Sequence, residues 1–111
     1  IDYQGNDNFD LLINHITGIR ELLSPYLQNS SAVHHFNMLE QAAVNEIEHE
    51  ISKGVDDWDS LIKAGLHGLH VELLYLMADC KFPKETGIKK KLDKYCKCIE
   101  KGEIPDIDML D

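Results

Sequence analysis

Apolar and polar residues recur along this 111-residue chain with the period of a helix, and no convincing period-two strand appears. Phe9, Leu12, Ile13, Ile16, Ile19 and Leu23 fall at i, i+3, i+4, i+7, i+10 and i+14, which is one face of a first helix. Asp7 or Asn8 is placed to cap its start, and Ser24-Pro25 ends it, because a residue before proline avoids the helical region. Asn29-Ser30-Ser31 is a polar connector whose serines are expected to cap a second helix. That helix buries Phe36, Leu39, Ala43, Ile47 and Ile51, and Gly54 sits just past its end, the usual place for a left-handed closing residue.

Asp56 or Asp57 then caps a third helix and places negative charge at its positive end. Its pattern is the most apolar in the chain: Trp58, Ile62, Leu66, Leu69, Leu73, Leu76 and Met77, flanked by Leu61, Val71, Leu74 and Tyr75. Such a helix is expected at the centre, with neighbours on more than one side. Gly65 and Gly68 on it permit close approach by another helix, at a propensity cost of up to about 1 kcal/mol each. Pro83 breaks the chain, and a fourth helix is expected from about Lys84 to Lys101, with Ile88, Leu92, Tyr95 and Ile99 as its face and Gly102 closing it. The tail, IPDIDMLD, carries Ile104, Ile107, Met109 and Leu110 and is expected to lie back over the bundle or add a short turn. The prediction is an all-α fold: residues 1–111 form a single-domain antiparallel helical bundle of about four helices with a short C-terminal tail.

Charge sharpens this picture. The net charge is −9, and it is unevenly placed: residues 1–62 carry two basic against eleven acidic residues, and residues 63–111 nine against nine. The acidic first half disfavours nucleic acid and anionic membrane as partners, since both are bound through Lys and Arg. It favours a cationic partner, whose encounter the field would speed. No apolar run approaches the roughly 18–20 residues of a membrane span, and no signal-peptide pattern opens the chain. The chain begins at Ile1 and not at a methionine, which leaves room for residues upstream. Three cysteines, Cys80, Cys96 and Cys98, make a poor disulfide framework, so reduced thiols and a cytoplasmic location are expected.

Candidate chemistry concentrates in residues 45–59, NEIEHEISKGVDDWD. Glu46-x-x-His49 has the spacing of a carboxylate-bundle metal ligand pair, but such centres need a second Glu-x-x-His. The nearest match here is His67-x-x-His70, which lacks the carboxylate. With Ile47 at the middle of the buried face, His49 lies about 160° away, towards solvent; His67 lies about 160° from Leu69, and His70 falls near the boundary. No metal or other cofactor is therefore expected. Exposed glutamates make poor general acids, because a raised carboxylate pKa needs burial or a close like charge. Ser30-Ser31 beside His34-His35 suggests a nucleophile pair, yet capping explains the serines more simply and no nucleophile-elbow pattern accompanies them. The chain is thus expected not to be an enzyme. Lys90, Lys94, Lys97 and Lys101 form a stripe opposite the apolar face of the fourth helix, read first as a solvated surface.

What remains is a docking surface. Six acids in fourteen residues, relieved by Lys53 alone, cost self-repulsion that folding does not require. Glu46, Glu48, His49, Glu50, Asp56, Asp57, Trp58 and Asp59 are the candidate partner-binding residues, with Trp58, Tyr75 or Tyr26 as aromatic anchors. A small, acidic, helical domain carrying such a run resembles the immunity proteins of bacterial toxin systems, including contact-dependent inhibition. The resemblance implies a protein that binds and neutralises a basic toxin domain, in many cases a nuclease. The alternatives are a regulatory or self-associating helical module, in which the acidic half meets the lysine stripe of another copy, and a ferritin-like metal-binding bundle.

Overall fold

Asn6 opens the first helix, one residue ahead of the expected caps: its side-chain oxygen accepts from the amides of Asn8 at 2.9 Å and Phe9 at 3.3 Å. The computed structural model describes residues 6–110, and within them the chain forms four α-helices and no strand. The helices are α1 (Asp7–Leu23), α2 (Ser30–Ser52), α3 (Trp58–Asp79) and α4 (Ile88–Glu100), with 3-10 turns at Ser24–Tyr26, Lys84–Thr86 and Ile107–Leu110. Among the described residues no helix is long and apolar enough to cross a membrane. The expected all-α helical bundle is the observed fold.

Two local expectations need correction. Neither serine caps α2; Asn29 does, accepting from the Ala32 amide at 2.8 Å, while Ser31 turns its hydroxyl to Asp79 on α3. The fourth helix does not start at Lys84. Residues Lys84–Thr86 form a 3-10 turn, and Gly87 then takes a left-handed φ of +67°, which ends that turn and lets α4 begin at Ile88.

Neighbouring helices run antiparallel. Ser31 reaches Asp79 and His35 reaches Glu72, so the start of α2 lies beside the end of α3. The closest approach is at Gly68, where a Cβ would collide with the Ala42 carbonyl oxygen and sit 2.7 Å from Glu46 Cγ. Gly65 lies between α1 and α2, with Leu12 and Ile47 side chains each 3.0 Å from where its Cβ would be. This is the close packing that the two glycines predicted. The α2–α3 pair has the most extensive interface in the molecule, and α3 also touches α1 and α4.

The core follows the helical spacing: Leu12, Ile16, Ile19 and Leu23 of α1, Leu39, Ala43 and Ile47 of α2, the Leu61–Leu76 stripe of α3, and Ile88, Leu92 and Tyr95 of α4 are buried. The C-terminal 3-10 turn lies back over α1 and α4, with Leu110 against Gly18. Among the described residues, two buried side chains are those of histidines, His15 and His70. The wheel placed His70 at the boundary. It is buried because α3 packs against α4 as well as α2, which widens its covered arc.

Candidate functional site

The acidic run spans the end of α2, a short link and the start of α3. After Ser52, Lys53 is the C-cap and Gly54 takes φ +96°, so that the Val55 amide donates back to the Glu50 carbonyl at 3.1 Å. Asp57 caps α3, accepting from the Ser60 amide at 3.0 Å. Hydrogen bonds from the Ser60 side chain and backbone hold the Asp57 carboxyl below the usual range. Trp58, the first residue of α3, is half-buried against the core and keeps part of its ring at the surface.

The candidate residues separate by what holds them. Asp57 is a cap. Asp59 pairs with Lys63 at 2.9 Å and Glu50 with Lys53 at 3.3 Å, both within one helical turn. Glu46 lays its methylenes across Gly68. His49 is exposed, as the wheel indicates, and its carbonyl accepts from the Ser52 hydroxyl at 2.6 Å. Glu48 and Asp56 are exposed and make no hydrogen bond or ion pair with any described residue. Structural work therefore accounts for part of the run and leaves two carboxylates entirely to solvent.

The fold adds two residues that the linear run did not contain. Because Gly65 meets Leu12 and Ile47 at one level, the start of α1 stands beside the end of α2 and the start of α3. Asp7 and Asp10, exposed in the first turn of α1, thus join the same end of the bundle. Their contribution depends on antiparallel packing, which no single helix pattern reveals. At the N-terminal poles of α1 and α3 these acids, with Asp59, offset the helix dipole. Glu50 stands in the last turn of α2, at its negative pole, where Lys53 offsets it; Glu46 and Glu48 lie further back along the helix.

At the opposite end of the α2–α3 pair lies a second polar cluster. His35 Nδ1 donates to Glu72 Oε2 at 2.6 Å, and its ring stacks on Tyr75 with centroids 5.2 Å apart and planes 15° apart. Ser31 Oγ donates to Asp79 at 2.5 Å, and Asn29 donates to the Asp79 carbonyl at 3.2 Å. The serine–histidine pair considered from the sequence is not formed, since each partner bonds to a carboxylate on α3. Tyr75 is 58% exposed beside exposed Val71 and Leu74, whereas Tyr26 packs edge-on against Phe82 at 5.5 Å. Of the three aromatic anchor candidates Tyr75 is thus the most open, but it stands about 25 Å along α3 from Trp58.

Glu46 and His49 do not meet His67 and His70; among the described residues no three His, Cys, Asp or Glu side chains converge as metal ligands. Lys90, Lys94, Lys97 and Lys101 are all exposed along α4. An open cleft of about 420 Å³ at the start of α4 is lined by Phe82, Pro83, Lys84, Gly87, Lys89, Lys90 and Asp93. All three cysteines are free. Burial pushes the Cys96 thiol up to about 12, and burial with neighbouring Asp79 raises that of Cys80, so neither is an activated nucleophile. Compared with protein-family models, curated proteins and solved structures, the chain matches none.

Proposed function

We propose that this protein is a non-catalytic binding module that neutralises a basic protein partner through its acidic end, in the manner of a cytoplasmic toxin-immunity protein. The observation that carries the reading is the pair of solvent-facing carboxylates at the acidic end, Glu48 and Asp56, which make no hydrogen bond or ion pair with any described residue. Like-charge repulsion at this end is not offset inside the fold for these two carboxylates, and a cationic partner would relieve it. Asp7 and Asp10 enlarge the same field, and Trp58 supplies a partly open aromatic surface at its centre. Lysines and arginines that a nuclease uses on its substrate are the chemistry this end would cover. Steering of that kind raises association towards about 10⁸–10⁹ M⁻¹s⁻¹ at low salt.

The test begins with the reading frames beside this one in the source genome, where a basic toxic domain is expected, and proceeds by co-expression with that domain; its absence there would count against the reading. Wild-type protein is expected to restore growth, and Glu48→Lys with Asp56→Lys to lose that protection while unfolding at or above the wild-type midpoint. Equal rescue by the charge-reversed variant would move the site elsewhere. Asp56→Lys with Asp59→Lys tests the same surface but also removes the contact of Asp59 with Lys63.

A second reading, self-association, draws on one observation: the lysines of residues 81–101 run along α4 and the segment before it, away from the acidic end. Sedimentation at low and high salt separates the two, since a dimer dissolved by salt is expected from self-pairing and a monomer throughout from the inhibitor.

A further inference from the structure

The two histidines buried among the described residues both face the same helix. His15 of α1 is 1% exposed, and its Nδ1 shares a 2.9 Å hydrogen bond with the Tyr95 hydroxyl of α4. His70 of α3 is 5% exposed, and its Nε2 stops 3.6 Å from the Glu100 carboxylate of α4. Neither ring nitrogen of His70 has a hydrogen-bond partner. A buried imidazole left in this way is tolerated while neutral and becomes costly once charged.

α4 is also the helix most readily detached. It has 13 residues against 23 and 22 for α2 and α3, it is flanked by Gly87 and Gly102, and its interface with α3 is far smaller than that between α2 and α3. The segment that follows carries Asp106 near His15 and then packs Leu110 on α1. We propose that α4 and the 3-10 turn behind it form a proton-released strap: acidification charges His15 and His70 and frees this segment from α1 and α3, while α2 and α3 stay paired.

The surrounding groups decide the direction. Around His15 stand Tyr95 and Asp106; around His70 stand Glu100 of α4 and His67 of its own helix, with ring centroids 6.3 Å apart. Asp106 and Glu100 favour the charged forms, but burial outweighs them and lowers both histidine pKa values, and His67 lowers that of His70 further. Tyr95 and Cys96 are pushed upwards and keep their protons. A histidine held below its unfolded value of about 6.5 takes up its proton more readily once released. The closed state is therefore most stable above that pH and weakens as pH falls towards the folded values.

Amide hydrogen exchange on the whole protein between pH 7.5 and 5.5, corrected for intrinsic rates, tests the strap. Protection over Ile88–Glu100 and 107–110 is expected to fall below pH 6.5 by up to about tenfold per pH unit for each histidine, with α2 and α3 unchanged. His70→Leu is expected to reduce that slope, and His15→Phe with His70→Leu to abolish it. Equal loss of protection across all four helices, or none by pH 5.5, would overturn the proposal. So would a double variant that keeps the full response; if that variant does not fold, the wild-type profile alone decides.

Discussion

Gly68 shows how much one side chain, or its absence, sets in this fold. The α3 backbone passes so close to α2 that a methyl group there would strike the Ala42 carbonyl, which belongs to a helix and has no freedom to turn aside. Gly68→Ala is expected to destabilise the protein by about 1–3 kcal/mol, the range for overpacking, despite the higher helix propensity of alanine; urea unfolding measures this. The pair Gly65 and Gly68 was legible in the sequence because two glycines inside a strongly apolar helix have few other uses. The buried histidines were not. His15 falls on the apolar face of α1, three residues after Leu12 and four before Ile19, so a pattern built from apolar residues passes over it. His70 was misplaced because a wheel centred on one face assumes one neighbour, and α3 has three.

At the scale of elements, spacing identified the buried faces of all four helices, and the errors lie at their ends. The sequence offers Asp7 or Asn8 and Ser30 or Ser31 as helix starts, yet Asn6 and Asn29 cap α1 and α2. Asx and serine residues crowd both boundaries, and backbone geometry alone decides which reaches the free amides. Asn29 has a further task, since its amide nitrogen also ties the start of α2 to the Asp79 carbonyl at the end of α3. Asn29→Ala is expected to cost about 1 kcal/mol from the cap alone and to raise exchange in the first turn of α2 and the last turn of α3 together. Loss confined to α2 would mean that the bridge to α3 contributes nothing. The same logic explains α4: Lys84 opens a turn of helical appearance, but Gly87 interrupts it before the apolar face begins at Ile88.

For the molecule as a whole, charge is arranged by packing more than by sequence order. The acidic run of residues 46–59 could be read directly, but the addition of Asp7 and Asp10 requires α1 to be antiparallel to α2. The run also lost some of its apparent surplus once Asp57, Asp59 and Glu50 acquired local partners. The residual repulsion has a measurable effect. Raising salt from 10 mM to 0.3 M at pH 7 shortens the screening length from about 30 Å to below 10 Å and is expected to raise the urea midpoint. Glu48→Lys with Asp56→Lys is expected to shrink that increase, because these two carboxylates have no cation beside them to lose. An unchanged salt response in the variant would mean that the strain is spread over the whole surface and not gathered at this end.

The five-residue link 53–57 between α2 and α3 also bears on how the chain reaches this fold. Joining the two longest helices across so short a connection makes their interface the cheapest large contact to close, and topologies rich in local contacts fold fast. α1 is synthesised first, yet its apolar stripe finds Ile47 and Gly65 only after both longer helices exist. The hairpin of α2 and α3 is accordingly expected to form first, with the first and last helices condensing on it; φ-values near zero in α2 and α3 would contradict this order.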